Sequence, residues 1–250
     1  MLNYISAEFY KLGQRWSFYL SLAALLVLEE LTLWSFRLEG ASSEELQALF
    51  LSLSPVGLFL VIVCTNLVFS NQYRHDTLKN ELASGISRTR IYLGKLSASF
   101  LVALLFCAAV CVVYLKNAWL VSDRMVSAIP TLLWRLLPDL AAVFPLWLGM
   151  LSLSFCLMSL LRETALTVLL LFGFLIFGSL FLWLLCMINW PWSVIRRLIA
   201  ALYYAVPMTP FFDLGDPINA GMLSAHWAVG LGWVLVSTLV GLCLFYRREI

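Results

Sequence analysis

Charge is scarce in this sequence. Asp, Glu, Lys and Arg make up 12% of its 250 residues, about half the share of an ordinary soluble domain. Only two histidines occur, His75 and His226, and neither lies in an HExxH pair, which excludes the helix-borne zinc site of a metalloprotease. There is no Gly-rich loop ending in Gly-Lys-Ser or Gly-Lys-Thr. Gly94-Lys95 runs instead into Leu96 and Ser97, without the upstream glycine and without a hydroxyl for magnesium, so the chain itself is not expected to bind ATP. No serine sits in a GxSxG turn. The six cysteines, Cys64, Cys107, Cys111, Cys156, Cys186 and Cys243, all fall inside apolar runs, which argues against disulfides. Cys107 and Cys111 share a helix face, yet no histidine or carboxylate joins them at ligand spacing, so they read as small apolar packers and no metal is expected. No catalytic constellation emerges, and the chain is read as having no enzymatic activity of its own.

Apolar residues, by contrast, are abundant: 62% of the chain, with a mean hydropathy of +0.93. Crossing a hydrocarbon core takes about 20 mostly apolar residues wound as helix. Six runs meet that length, at 16 to 36, 53 to 71, 96 to 115, 138 to 161, 164 to 188 and 225 to 246. They are continuously apolar and do not alternate, which favours helices over a barrel. The expected fold is therefore all-α: a polytopic membrane protein with six transmembrane helices in one membrane domain, 1 to 250. The start, MLNYISAEFYKLGQRW, lacks a small-residue cleavage site after a short apolar core, so the first span is expected to be retained. Tyr4, Ile5, Phe9 and Leu12 recur near helical spacing with Glu8, Lys11 and Arg15 between them, which suits an interfacial helix over about 3 to 15.

Orientation follows from the Lys and Arg near the span ends. Of the 16, ten fall on one side (Lys11, Arg15, Arg74, Lys79, Arg88, Arg90, Lys95, Arg162, Arg247, Arg248) and six on the other (Arg37, Lys116, Arg124, Arg135, Arg196, Arg197). Both termini are thus expected to be cytoplasmic. The connection at Leu161 to Thr164 is very short and predicts a tight hairpin of the fourth and fifth spans. The external segment 189 to 224 is rich in Trp, Tyr and Pro, and its IRRLIAALYYA stretch predicts short helices in or on the outer leaflet.

Three features stand out against the apolar background. Glu29 and Glu30 lie inside the first run, about 20 Å along it if the helix starts near Trp16. Either at least one faces a water-accessible cavity that attracts cationic cargo or holds an ion pair, or the span ends early and both reach the outer interface. Adjacent helical residues diverge by about 100°, so both cannot face one narrow cavity equally. Asp139 reads more simply as interfacial. Ser237 and Gly241 form a small-xxx-small pair that suits close helix approach, within the subunit or between subunits.

The third feature is the polar island Asn71 to Lys95. Asp76 or Thr77 can cap a helix carrying Leu78 and Leu82 on one face, Gly85 is a natural stop, and a second helix can begin near Ser87. A helix so short needs packing to hold it, on its own domain or in a partner's groove. Thr77-Leu78-Lys79-Asn80, Gly85-Ile86-Ser87-Arg88 and Tyr92-Leu93-Gly94-Lys95 together resemble the region between the second and third spans of ABC transporter permeases of the type-2 exporter class. The six-span layout extends the resemblance over the chain. Its small size is similar to permeases for lantibiotic self-protection and phenol-soluble modulin export.

The resemblance implies a half-transporter in the bacterial plasma membrane, pairing with a second permease subunit, identical or paralogous. Each would dock a coupling helix, within about 76 to 92, onto a separate ATP-binding cassette subunit that carries the ATP and magnesium. Thr77, Leu78, Lys79, Asn80, Glu81 and Leu82 would carry that docking. The cargo would be an amphipathic or cationic peptide (a toxin or antimicrobial peptide) or a lipophilic antibiotic, with Glu29 and Glu30 on its path. No nucleic acid is expected as a partner. The alternative is a proton-coupled secondary transporter or channel that titrates Glu29 or Glu30.

Overall fold

In a computed structural model of the chain, residues 2–74, 83, 85–122, 128–161, 163–188, 190–213 and 219–247 are described. Their secondary structure is helical: α1 (Leu2–Gly13), α2 (Trp16–Leu38), α3 (Ser43–Leu53), α4 (Val56–Arg74), α5 (Arg88–Val121), α6 (Ala128–Leu161), α7 (Thr164–Gly173), α8 (Ser179–Met187), α9 (Ser193–Ala205) and α10 (Ala220–Arg247). A π turn, Phe174–Gly178, joins α7 to α8, and a 3-10 turn, Thr209–Asp213, follows α9. Helix is the form in which a lipid-facing backbone satisfies its own N–H and C=O groups. Among the described residues, five helical stretches are long and apolar enough to cross a membrane (Trp16–Leu38, Arg88–Val121, Pro130–Leu161, Thr164–Met187, Ala220–Tyr246), and a sixth if the broken pair Ser43–Leu53 and Val56–Val68 is one span. The all-α, polytopic expectation holds.

The chain divides into two compact units. The first comprises Met1–Ser54 and Leu67–Ala141. Its core is Leu33 of α2, Leu46 and Phe50 of α3, Tyr114 and Ala118 of α5, and Leu132 and Leu136 of α6, with the Phe50 and Tyr114 rings 4.5 Å apart. α2 ends in a Schellman arrangement. Gly40 takes φ +81 and donates to Arg37 O, while Ala41 donates to Phe36 O. α3 then opens on a capping box: Ser42 Oγ accepts from Glu45 N, and Glu45 Oε2 accepts from Ser42 N at 2.6 Å. The expected span 53 to 71 falls on α4, and α3 is an additional helix before it, separated by the break at Ser54–Pro55.

α1 forms over nearly the residues that carry the amphipathic pattern, with one difference in what its faces bury. Leu12 is buried, as a core-facing position should be, but so is Glu8, on the same face. Glu8 belongs there because Lys95 Nζ, itself 1% exposed, lies 3.7 Å from it, and Lys11 closes on the same oxygen at 2.7 Å. The Tyr4 ring covers Lys95 with its centroid 5.9 Å from the ammonium. It also lies so close over Gly94 that a Cβ there would meet the ring at 2.4 Å.

The second unit comprises Pro55–Asn66 and Ala142–Ile250. α6 and α10 cross at glycine. A Cβ on Gly230 would lie 2.2 Å from Pro145 O, and one on Gly149 would lie 2.8 Å from Gly230 O. Near this crossing, Ser237 donates to Ser152 at 2.7 Å, and Ser152 also pairs with Thr238 at 3.0 Å. Ser237 therefore faces α6 of its own chain. α4 joins α6 through Thr65 and Ser154, whose hydroxyls are 2.6 Å apart, and Gly57 lies under the Trp147 indole.

Candidate functional site: the acidic pair of α2

α2 runs unbroken past Glu29 and Glu30 to Leu38, so the helix does not end before the carboxylates. α5 likewise continues beyond the expected limit at 115, to Val121, and thereby carries Lys116 and Asn117 on helix. The two helices pack side by side with Phe18 and Phe106 edge to face at 5.8 Å. This brings Lys116 Nζ to 2.6 Å from Glu30 Oε2, and Asn117 Nδ2 donates to the same oxygen at 2.9 Å. Asn117 is fully buried and is itself fixed at both ends of its amide: Nδ2 also donates to Val113 O at 3.1 Å, and Oδ1 accepts from Arg37 Nη1 at 3.2 Å. Glu30 thus accepts from two donors through one oxygen.

Glu29 has a different environment. Both of its carboxylate oxygens are buried, and neither has a hydrogen-bond partner among the described residues. The difference follows from helical geometry, since the adjacent residue points about 100° away from the Lys116–Asn117 edge. A buried carboxylate with no donor is expensive unless it is neutral or meets a cation. Of the two, Glu29 is the vacant acceptor and Glu30 the occupied one.

Asp139 lies well inside α6, accepts from Gln47 Nε2 at 2.7 Å and is buried, while Arg135 pairs with Glu44 at 3.0 Å. These contacts pin α3 to α6. Arg15, between α1 and α2, donates through Nη1 to Leu67 O. Burial lowers its pKa, against the raising effect of Glu8. The docking residues expected from the sequence, Thr77, Leu78, Lys79, Asn80, Glu81 and Leu82, lie outside the described residues. On their described flank, Gly85 takes φ +84, a left-handed conformation, and Ser87 is the N-cap of α5.

Sequence reasoning missed Asn117 and the Glu8–Lys95 pair. The polar Lys116–Asn117 step at the end of an apolar run was a visible signal for the first. Nothing local marks Glu8 and Lys95 as partners.

Membrane-length helices with their few charges gathered into paired sets define an all-α, multi-pass membrane protein with no strand among the described residues. The chain belongs to the ABC-2 family: the sequence profile of the ABC-2 family transporter protein matches residues 4–179. It is therefore a transmembrane permease subunit, of a family that implies an ABC ATPase as partner. No curated protein matches the chain.

Proposed function

We propose that this chain is the permease half of an ATP-driven exporter in the bacterial plasma membrane, moving amphipathic or cationic peptides or lipophilic antibiotics outward. The family match over residues 4–179 carries the reading, since it spans the acidic pair of α2 and the whole 71–95 island. Both termini face the cytoplasm, a second permease subunit completes the path, and a separate ATPase engages Thr77 to Leu82 and carries ATP and magnesium. Cationic cargo is favoured by Glu29, whose buried oxygens have no donor among the described residues. Closure of the ATPase pair moves the island, and α5, which begins within it at Arg88, passes that movement to Lys116 and Asn117 beside α2.

The test is co-purification of the tagged chain with soluble proteins of its native membrane, followed by ATP hydrolysis with and without cationic amphipathic peptides. A co-purifying ATP-binding subunit with peptide-stimulated hydrolysis is expected. Recovery of the chain alone, with nucleotide-independent transport in vesicles that is lost in Glu29→Gln, would overturn the exporter reading in favour of proton coupling.

A further inference from the structure

α9 (Ser193–Ala205, SVIRRLIAALYYA) buries none of its residues in the protein. On a helical projection Val194, Leu198 and Leu202 share one arc, and they are 66%, 58% and 57% exposed. Arg196, Arg197, Tyr203 and Tyr204 occupy the opposite arc around the small Ala200, with both arginines exposed. The two tyrosine rings stand edge to face, 5.4 Å apart. Lys116 and Arg135 pair with Glu30 and Glu44, but neither Arg196 nor Arg197 has an acidic partner among the described residues.

The helix is nonetheless held in place. Trp190 Nε1 donates to Leu185 O of α8 at 2.9 Å, just before α9 begins, and Trp233 Nε1 of α10 donates to Ala205 O at 2.6 Å at its end. α8 is the end of a membrane-length stretch, Thr164–Met187, so α9 starts within a few residues of the hydrocarbon boundary. An anchored helix at that boundary, apolar on one arc and cationic on the other, lies in the plane of the interface with its apolar arc in the acyl region. Trp192 and the tyrosines are the side chains that favour that depth. The two arginines are then at headgroup level, where the available anion is a lipid phosphate, and the guanidinium fork matches phosphate oxygens.

We infer that Arg196 and Arg197, flanked by Tyr203 and Tyr204, form a binding site for an anionic phospholipid headgroup on the membrane face at the α8–α10 connection. Two adjacent cations select a phosphodiester without an amine. A choline or ethanolamine headgroup would answer one arginine with its phosphate and set its own cation against the other. The inference holds whatever the cargo of the exporter.

The full chain, purified in mild detergent, would be titrated with phosphatidylglycerol and with phosphatidylcholine, and the lipid adducts counted by native mass spectrometry. Each arginine at an anionic surface is worth about fivefold in affinity. Arg196→Gln with Arg197→Gln should therefore lower the ratio of phosphatidylglycerol to phosphatidylcholine retained by about thirtyfold. Arg196→Lys with Arg197→Lys should keep most of that ratio, and Arg90→Gln, at an exposed arginine of α5, should leave it unchanged. An unaltered ratio in the double glutamine variant overturns the assignment, as does an equal fall in the Arg90→Gln control. Should the double variant fail to fold, the single glutamine variants carry the same test, each with about a fivefold loss expected. Displacement of the lipid by millimolar inorganic phosphate would assign the arginines to a soluble anion and overturn the lipid reading.

Discussion

Gly230→Ala adds a single methyl group at the point where α10 meets α6. The added Cβ would lie 2.2 Å from Pro145 O and 2.3 Å from Pro145 C, atoms of backbone that no rotamer change can move. Ordinary van der Waals contact needs about 3.4 Å, so the helices must part by about 1 Å or tilt. Over-packing of this kind costs typically about 1–3 kcal/mol. The separation also stretches the Ser237–Ser152 hydrogen bond, now 2.7 Å, for which intramembrane pairs average about 0.6 kcal/mol. Alanine returns up to about 1 kcal/mol through its better helix propensity. The net loss is about 1–3 kcal/mol, or a fall in melting temperature of about 2–12 °C for a chain of this size. Gly232 supplies the internal control two residues on, because a Cβ there meets nothing within 4 Å. Gly232→Ala should be neutral or stabilising by up to about 1 kcal/mol, since propensity is the only term left. The assay is the loss of the monodisperse peak on size exclusion after heating in detergent, with the two variants side by side. If Gly230→Ala melts at or above Gly232→Ala, the crossing at Gly230 is not the close contact described.

Other expectations follow the same logic. Lys95→Met should destabilise the attachment of α1 to α5, seen as earlier proteolysis at the N-terminus, because Glu8 loses the buried cation 3.7 Å from it; adding Glu8→Gln should restore protection, and an unprotected double variant would count against the pairing. Glu30→Gln should lower thermal stability, by about 1 kcal/mol or less given the partly exposed Lys116, whereas Glu29→Gln should leave it unchanged or raise it while reducing peptide-stimulated hydrolysis. Equal thermal effects of the two would refute the distinction between them. Leu82→Asp should place a charge on the docking edge and abolish ATPase co-purification without altering the melting of the permease; retained partner would remove the basis for that edge.

Much of this was legible in the chain. Long apolar runs read directly as helices because the bilayer admits few other backbones, and Gly85 and Ser87 marked the start of α5 by local backbone preference alone. α3 went unread for a different reason: its apolar residues run nearly straight into those of α4, and the break at Ser54–Pro55 is what separates it as a helix of its own. Lys116 and Asn117 were legible as polar but not as partners of Glu30, since a run of apolar residues gives the length of a helix and not which edge it shares with another. The Glu8–Lys95 and Gly230–Pro145 contacts join residues far apart in sequence, and no spacing rule reaches them. Glu29 and Glu30 stood out at once; which of them was occupied depended on the rotation of α2 against α5.

The π turn at Phe174–Gly178 sets the phase of everything that follows it. One residue too many in a turn advances the next helix by about 100° relative to a straight continuation. α8 therefore presents a face that α7 does not foretell. Removing a single residue between Phe174 and Gly178 would leave the stretch as apolar and nearly as long as before, yet would wind α8 back by that angle. The local tether of Trp190 to Leu185 would turn with it, and the mismatch would fall on the hydrogen bond from Trp233 to Ala205 that ties the far end of α9 to α10.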